Sequence, residues 1–519
     1  MTKLGVPELF FHYFKGMFVR KKPNKSGKIS IQVIEKSRGK YRVLKTIGSS
    51  ADPGEVKNLV SLGEEWVQSK RGLLEIPFND EKQTADLVLD SIEGITVAGT
   101  ELLLDGIFNE IGFNAIKDDL FKWLVYSRIC FPASKLKTCD YLLTYHGLEF
   151  GVHDLYRFMD KLYNNYKETV QLISFGHTKK VLGGSIHIVF YDVTTLYFEI
   201  DREDDLRKTG FSKEGKHQNP QIVLGLLVGL EGYPLAYEIF EGNKFEGHTM
   251  IPVIETFRQK YNLPAPIVVA DSGLLSKSNI SELRESGYEF ILGARLKSSG
   301  NAQKEKILAL ELKNGESTSI KWADGLSMVV SYSEKRAKKD RINREKGLRK
   351  LERQLKTGKL NKSHINNRGY NKYLKMAGEV TISLDMEKFE QDGKWDGLKG
   401  YITNTNLNKE EVIENYKNLW KIEKAFRIAK TDIKVRPVYH HKPGRIEAHI
   451  SIAFVAYKVY KELERQLNEK EAKLSPQKAL EIAKGIYTVE VLLKSTGTKH
   501  RKTLLLNEGQ RKLAKLFGF

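Results

Sequence analysis

The chain has 519 residues, of which 40% are hydrophobic and 29% charged, and Lys and Arg outnumber Asp and Glu by 85 to 65. Typical domain sizes suggest about three domains, and the apolar and aromatic content excludes a largely disordered protein. The net charge of +20 favours a polyanionic partner, of which nucleic acid is the commonest and an anionic membrane surface the alternative.

Cysteine usage and hydropathy bear on the compartment. Cys130 and Cys139 are the chain's two cysteines and form no Cys-x-x-Cys pair, so neither a disulfide framework nor a structural zinc site is predicted. No stretch approaches the roughly 20 apolar residues that cross a bilayer, and the N-terminus lacks the apolar core and cleavage site of a signal peptide. We therefore expect a reducing compartment, the cytoplasm, without membrane association.

Two short runs near the N-terminus, residues 28–34 and 41–45, alternate as β-strands do. They predict a small basic β unit within residues 1–95. This unit is either a solvated hairpin or a module that binds DNA ends. Over residues 96–180 the apolar spacing becomes helical, which predicts a helical region.

The middle of the chain predicts three strands, a helix, a strand, a helix and a strand. If the first three strands form a meander and helices connect the later ones, this order is what a ribonuclease-H-like α/β domain requires, here over residues 181–296 and 397–460. The elements are residues 186–191, 221–230, 235–240, 247–261, 267–270, 277–285 and 288–294.

Residues 297–396 interrupt that domain and are predicted to be a β-rich insertion. Between Lys335 and Lys375 there are sixteen Lys or Arg and three acids, a net charge of +13 over 41 residues. This basic run is either a solvated helix followed by a mobile loop, or an arm that tracks phosphates. Residues 461–519 are expected to form a C-terminal helical tail. The strand-like pieces of the insertion are residues 307–312, 327–332 and 379–384.

Two aspartates are predicted at the ends of buried strands. Asp192 shares the parity of Ile188 and Phe190, a core-facing row on which a charge is costly unless it is paired or binds metal. The alternative is an Asp that closes a strand through a side-chain turn. Asp271 ends the strand at 267–270, at the carboxyl edge where ligand sites gather. If the two strands are parallel neighbours, both carboxylates reach the same edge of the sheet.

A later helix carries a glutamate on an apolar face. Asn408 and Glu411 resemble a capping box and predict a helix over residues 409–430. A carboxylate at Glu423, in the middle of an apolar stripe, needs a partner. That partner is either Lys430, in a buried ion pair, or a metal ion shared with the two strand-end aspartates. The stripe, at spacings of 4, 3, 4, 3 and 4, is Val412, Tyr416, Leu419, Glu423, Phe426 and Lys430.

The two strand-end aspartates and the late helical glutamate together resemble the DDE triad of bacterial insertion-sequence transposases. In the branch with a Tyr-x2-Arg-x3-Glu-x6-Lys signature, Tyr416, Glu423 and Lys430 match, whereas Leu419 stands at the Arg position. Leu419 cannot contact phosphate, so the role of that Arg is absent here or belongs to Lys417, Lys421, Lys424 or Arg427. Similar stretches occur at residues 210–216, 237–243 and 436–441, and the likeness extends over residues 130–460.

This resemblance implies a metal-dependent DNA transposase that cleaves transposon ends and transfers the strand into target DNA. Asp192, Asp271 and Glu423 would be both the catalytic residues and the ligands of two Mg²⁺ ions, which Mn²⁺ can replace. The partners would be transposon ends and target DNA, bound by a homodimer at the bacterial nucleoid. The DNA contacts would come from Tyr416, Lys430, Lys213, Lys216, Lys338, Lys339 and Arg341.

Two other functions remain open. A DNA nuclease that cuts without strand transfer would retain the same triad. A non-catalytic DNA-binding protein descended from a transposase would be expected to have lost one triad position. Asp192, Asp271 and Glu423 are all acidic, which favours an enzyme.

Overall fold

The computed structural model describes residues 16–519 except 38, 72–85, 87, 201, 212–214, 216–217, 323–324, 378–380, 437 and 494–496. Lys213 and Lys216, two of the expected DNA-contacting residues, therefore lie outside the described residues. The chain divides into two compact units, one of Met1–Ile95 with Thr488–Leu504 and one of Thr96–Tyr487 with Leu505–Phe519.

An antiparallel sheet of three strands in the order β1-β2-β3 forms the first part of the smaller unit, and a helix packs on it. Met17, Val33 and Val67 are its buried core, and Trp66 packs against them. The two strands predicted at residues 28–34 and 41–45 are confirmed. The elements are β1 (Met17–Pro23), β2 (Ile29–Ser37), β3 (Lys40–Ser50) and α1 (Pro53–Arg71).

The larger unit begins with a series of helices whose apolar faces join one large core. Phe108 lies against Phe121 and Tyr126 in this core, with ring centroids 5.7 Å apart in each pair. Such tilted and edge-on aromatic contacts are the favourable geometries for neighbouring rings. The helices are α2 (Gly99–Ile111), α3 (Asp119–Cys130), α4 (Lys135–His146), α5 (Val152–Lys161) and α6 (Lys167–Val181).

A mixed sheet follows, so the fold is α/β. Its first three strands form an antiparallel meander, and the next two run parallel to the first strand and to each other. Helices connect them because parallel neighbours need a crossover. These predicted elements are confirmed to within three residues, except that the first strand, expected at 186–191, continues to Tyr197. They are β5 (Ile188–Tyr197), β6 (Gln221–Gly229), β7 (Pro234–Glu241), α7 (Met250–Tyr261), β8 (Ile267–Ala270), α8 (Lys277–Glu285) and β9 (Phe290–Ala294).

The inserted segment adds strands to this same sheet, which has eight strands in the order β10-β11-β14-β9-β8-β5-β6-β7. The strand expected at 307–312 is wrong, because a helix ends at Leu308, whereas the strand at 327–332 is confirmed. The elements are α9 (Asn301–Leu308), β10 (Ser317–Lys321), β11 (Ser327–Tyr332), α10 (Glu334–Lys356), β12 (Leu374–Ala377), β13 (Thr381–Leu384), α11 (Met386–Gly393) and β14 (Leu398–Thr403).

The longest element of the insertion is the 23-residue helix α10. The insertion is therefore less β-rich than expected, since the Lys, Arg, Leu and Glu residues of the basic run are strong helix formers. Ser333 caps the helix by accepting a hydrogen bond from the Arg336 N–H at 3.4 Å.

The chain ends in helices and a further pair of strands. The expected helical tail is wrong in part, because β-branched residues in the run Tyr487–Leu493 favour a strand, which joins a sheet of order β16-β15-β4. No helix in the described part of the chain has the length and apolar character that spanning a membrane requires. The elements are β4 (Ile92–Val97), α12 (Lys409–Lys417), α13 (Trp420–Thr431), α14 (Pro443–Glu469), α15 (Pro476–Lys484), β15 (Tyr487–Leu493), β16 (Thr498–Leu504) and α16 (Glu508–Phe517).

Candidate active site

Asp192 lies in β5, level with Asp271, which directly follows the adjacent parallel strand β8. In the β5–β8 ladder Tyr191 is the partner of Ala270, and each aspartate directly follows its member of that pair. Because side chains alternate along a strand, the Asp192 carboxylate leaves β5 on the face that carries Phe190. Neighbouring strands are about 4.8 Å apart, so the backbones of these two positions are close neighbours. The Asp192 Oδ1 accepts a hydrogen bond from the Val193 N–H at 2.8 Å.

The sequence suggested that Asp192 ends its strand, but the strand continues beyond it. β5 continues to Tyr197 because β6 pairs with it along this stretch, where Asp192 lies opposite Leu226. The strand that ends at this level is β8. Asp271 begins the loop after it, and its Oδ1 accepts a hydrogen bond from the Gly273 N–H at 2.7 Å. The end of β8 therefore leaves both half-buried aspartates at an open edge of the ladder.

The predicted helix over residues 409–430 is divided into α12 and α13. Its capping box is confirmed: the Glu411 N–H donates to the Asn408 side chain and the Asn408 N–H to the Glu411 carboxylate, both at 2.9 Å. The division lies at Asn418 and Leu419, where the Leu419 N–H donates to the Tyr416 carbonyl at 3.0 Å. A hydrogen bond between residues three apart makes a tighter turn than the four-residue spacing of an α-helix. Asn also disfavours the interior of a helix, because its side chain bonds to nearby backbone groups.

Glu423 is exposed, so the expectation of a carboxylate enclosed in an apolar stripe is wrong. Leu419 and Phe426 of the stripe are buried as predicted. The packed face of α13 is, however, centred on Ile422 and Ala425, which are almost fully buried. Glu423 therefore lies at the margin of the buried face, where its carboxylate remains in contact with solvent.

The hydroxyl of Tyr416 is within electrostatic range of both Asp271 and Glu423. The pKa of its hydroxyl is raised by burial and, to a smaller extent, by these two carboxylates. The side chain is 7% exposed. The Lys399 ammonium lies 4.4 Å from the centre of its ring, and burial lowers the pKa of Lys399 while Glu423 opposes that shift. The charges of Asp271 and Glu423 thus both act on Tyr416.

The three carboxylates offer the hard oxygen ligands that Mg²⁺ and Mn²⁺ prefer, so the donor set fits such an ion. Their oxygens do not all lie within 4.8 Å of one another. Among the described residues, the group that meets this criterion is Glu110, His177 and Glu462.

The carboxylates of this second group already bind a cationic side chain of the protein, Arg465. Arg465 donates to both oxygens of Glu462 at 3.0 Å and lies 3.5 Å from a Glu110 oxygen. The Tyr233 hydroxyl donates to Glu462 at 2.7 Å. Burial lowers the pKa of His177 to about 4, and nearby Lys458 contributes. The group is therefore an internal ion-pair network.

A basic cavity of about 300 Å³ opens beside Tyr416 and the loop that follows β8. Ser272, which follows Asp271, and Tyr416 line it, and Arg295 donates to the Gly273 carbonyl at 3.3 Å. The sequence patterns did not predict these cations. One signal was present, because Arg295 follows β9 just as Asp271 follows β8. The cationic side chains in the lining are Arg295, Lys297, Arg336 and Lys399.

A family profile described as a transposase DDE domain matches residues 184–458, more than half of the chain. The chain belongs to this family of transposases. No curated protein matches the sequence. Among solved structures, a cryo-EM structure of a piggyBac transposase synaptic complex with hairpin DNA is similar at 9% identity and a TM-score of 0.38, over 74% of this chain and 76% of that one.

The remaining expected DNA contacts of the transposase lie on two helices. On α10, the side chains of Lys338, Lys339 and Arg341 are exposed. Lys430 of α13 is half-buried and lines a small cavity with Thr194 of β5. That cavity is on the face of β5 that also carries Asp192, so Lys430 and the acid share one side of the sheet.

Leu419, at the Arg position of the signature, is buried in the transposase core. Of the residues expected to take over the role of that Arg, three are lysines that already form ion pairs with acidic side chains. Lys417 pairs with Glu414, Lys421 with Glu231 and Lys424 with Glu464.

Proposed function

We propose that the protein is a bacterial insertion-sequence transposase that cleaves DNA at transposon ends and joins the freed 3′ ends to target DNA. The observation that carries this proposal is the register of β5 and β8, which sets the positions of Asp192 and Asp271 level with each other within the segment that matches the family. Glu423 is linked to them through Tyr416, because the charges of Asp271 and Glu423 both act on its hydroxyl. The strand order β7-β6-β5-β8-β9 supports a ribonuclease-H-like catalytic domain. Tyr416 and Lys430 support the branch with the Tyr-Arg-Glu-Lys signature.

Asp192, Asp271 and Glu423 would hold two Mg²⁺ ions, or Mn²⁺, which when bound supply Lewis-acid activation of the attacking oxygen and stabilisation of the leaving one. Water attacks phosphorus at the transposon end and breaks the bond to the 3′ oxygen, leaving a 3′ hydroxyl and a 5′ phosphate. That hydroxyl then attacks phosphorus in the target strand. A new phosphodiester bond forms as the target's own 3′ oxygen leaves with a proton.

The chain's own cations would bind and orient the DNA. Lys399 and Arg336 lie in the basic cavity beside Tyr416, so they are placed to offset the negative charge of the scissile phosphate. They would supply the positive charge of the signature Arg, whose position Leu419 occupies in this chain. The exposed cations of α10 would bind neighbouring phosphates and release counterions.

Joining two transposon ends requires two active sites, so we infer a homodimer assembled on DNA. The partners would thus be the transposon ends, the target DNA and a second copy of the chain.

The decisive experiment compares wild type with Glu423→Gln in Mg²⁺-dependent cleavage of DNA that carries the element's own ends. Glu414→Gln is the matched control, because Glu414 is an exposed acid on the neighbouring helix α12. We expect Glu423→Gln to bind the DNA and fail to cleave it, and Glu414→Gln to cleave normally. Equal cleavage by wild type and Glu423→Gln would refute the triad.

A labelled 3′ end separates the alternatives. Transfer of the label into target DNA supports a transposase, whereas cleavage without transfer supports a nuclease. DNA binding without cleavage by the wild type, in Mg²⁺ and in Mn²⁺, would support a non-catalytic binding protein.

A further inference from the structure

A second and larger cavity, of about 620 Å³, lies between the start of α4 and the segment that follows α13. Residues 131–137 form one side, and Lys434, Arg436 and His440 belong to the other. None of the triad residues lines it. The cavity is therefore a site distinct from the carboxylates, with no role in the chemistry proposed above.

Two cations are buried in the wall of this cavity. Arg128 and Lys135 are each 6% exposed. Arg128 donates to the carbonyl oxygen of Lys434 at 3.3 Å. Among the residues that the structure describes, no Asp or Glu forms an ion pair with either side chain. Burying a cation without a counter-charge is unfavourable, and burial beside Arg128 lowers the pKa of Lys135 well below its ordinary value. An anion in the cavity would complement both side chains.

The rest of the lining strengthens the positive field. It contains no Asp or Glu, and its other cations are Lys137, Lys434 and Arg436. Helix α4 begins in the wall, which adds the positive end of its dipole. Burial, together with the two buried cations, lowers the pKa of His440 to about 3. His440 is thus neutral near pH 7 and available as a hydrogen-bonding group rather than a charge.

The cavity is connected to the strand that carries Asp192. The Arg436 guanidinium lies 5.4 Å from the centre of the Tyr197 ring, and Tyr197 is the last residue of β5. The five residue steps from Asp192 to Tyr197 span about 17 Å at the usual rise of a strand, which is the axial length of about five base pairs of DNA. Tyr439, which is exposed, stands in the lining as a flat surface for a sugar or base.

We propose that this cavity binds a phosphate group, and that its source is the backbone of DNA a few base pairs from the scissile position. Lys135 and Arg128 supply the counter-charge inside the cavity, and Lys434 and Arg436 complete the set of cations around it. The assignment to DNA rests on the proposed function, whereas the binding of phosphate does not. Free inorganic phosphate is the other source of the same chemistry.

The first test measures thermal unfolding of the full chain with and without inorganic phosphate, in Mg²⁺-free chloride buffer. The variant is Lys135→Met, which keeps the volume and removes the charge. The control is Lys179→Gln, an exposed cation of α6 outside the cavity. We expect phosphate to raise the Tm of wild type and control and not of Lys135→Met. Without phosphate, Lys135→Met should be at least as stable as wild type, because an unpaired buried charge is gone.

A lysine with only a structural role would give the opposite result, a lower Tm in Lys135→Met without phosphate. That result would overturn the proposed phosphate site. So would a phosphate-induced rise in Tm that is the same in Lys135→Met as in the wild type. Lys434→Gln removes an exposed cation of the same lining. This variant is expected to reduce the phosphate-induced rise in Tm, and it can be measured even if Lys135→Met fails to fold. An undiminished rise in Tm would also overturn the proposed phosphate site.

The second test measures binding of an end-sequence duplex at several salt concentrations, in the Glu423→Gln background so that cleavage does not interfere. Lys135→Met should weaken binding and reduce the slope of log K against log salt by about 1, the effect of one lost phosphate contact. Lys179→Gln should change neither. If Lys135→Met loses the phosphate-induced rise in Tm but keeps the salt dependence of DNA binding, the cavity binds free phosphate. That outcome overturns the assignment of the phosphate to DNA. Failure of the wild type to cleave DNA would refute the proposed function and leave the phosphate result intact.

Discussion

Replacing Gly293 of β9 with alanine tests how closely the site depends on the position of Tyr416. A Cβ at Gly293 would lie 2.3 Å from the Tyr416 hydroxyl oxygen and 3.0 Å from the Ser272 nitrogen. Since ordinary contacts begin near 3.4 Å, the hydroxyl must retreat by about 1 Å, a displacement that can cost about 100-fold in rate. Overpacking should lower the free energy of unfolding by about 1–3 kcal/mol. Urea unfolding and DNA cleavage measure the two effects.

Tyr416→Phe supplies the matched background. It removes the atom at 2.3 Å, and the shortest contacts of the new Cβ are then 3.0 Å, to the ring and to the Ser272 nitrogen. Gly293→Ala should therefore destabilise Tyr416→Phe less than it destabilises the wild type, with a coupling of about 0.5–3 kcal/mol. Strictly additive losses of stability would refute the reasoning, because the clash would then not involve the hydroxyl.

Three further predictions follow from single contacts. Asn408→Ala removes the acceptor of the Glu411 N–H and should cost about 1 kcal/mol in urea unfolding; an unchanged midpoint would contradict the role of the cap. Lys399→Met should slow cleavage by about 10²–10³-fold with DNA binding largely retained, if the lysine stabilises charge in the transition state, and normal cleavage would exclude that. His440 has its pKa lowered to about 3, mainly by burial, whereas the unfolded chain takes up this proton near pH 6.5. Stability should therefore fall as pH decreases below about 6.5, and His440→Gln should flatten that slope in urea unfolding at pH 7, 6 and 5.

The central strands and the capping box could be predicted because they follow from local rules. A buried strand such as Ile267–Ala270 is a continuous apolar run bounded by turn residues, and it matches β8. Asn408 and Glu411 act within one turn of a helix, so their spacing is sufficient evidence. The pairing of two parallel strands also places Asp192 level with Asp271, as their positions after apolar runs suggested.

The remaining features depend on contacts between distant segments. Asp192 lies inside β5 because β6 extends the pairing, which no local pattern encodes. Helical spacing shows which residues share a face with Glu423, but not where the centre of that face meets the sheet. The cations beside Tyr416 come from the ends of β9 and β14 and from the start of α10, so Lys399 and Arg336 meet only through the sheet order.

The eight-stranded sheet limits how the catalytic domain can be shortened. Residues 297–396 occupy one stretch of sequence, yet β10 and β11 extend the ladder beyond β14. Excising them would turn β14 into an edge strand with unsatisfied backbone groups, a known template for aggregation. A miniaturised enzyme would need a replacement strand or a charged edge at β14. Because α10 begins immediately after β11, any exchange of the basic helix between relatives must also preserve the β11–β14 register.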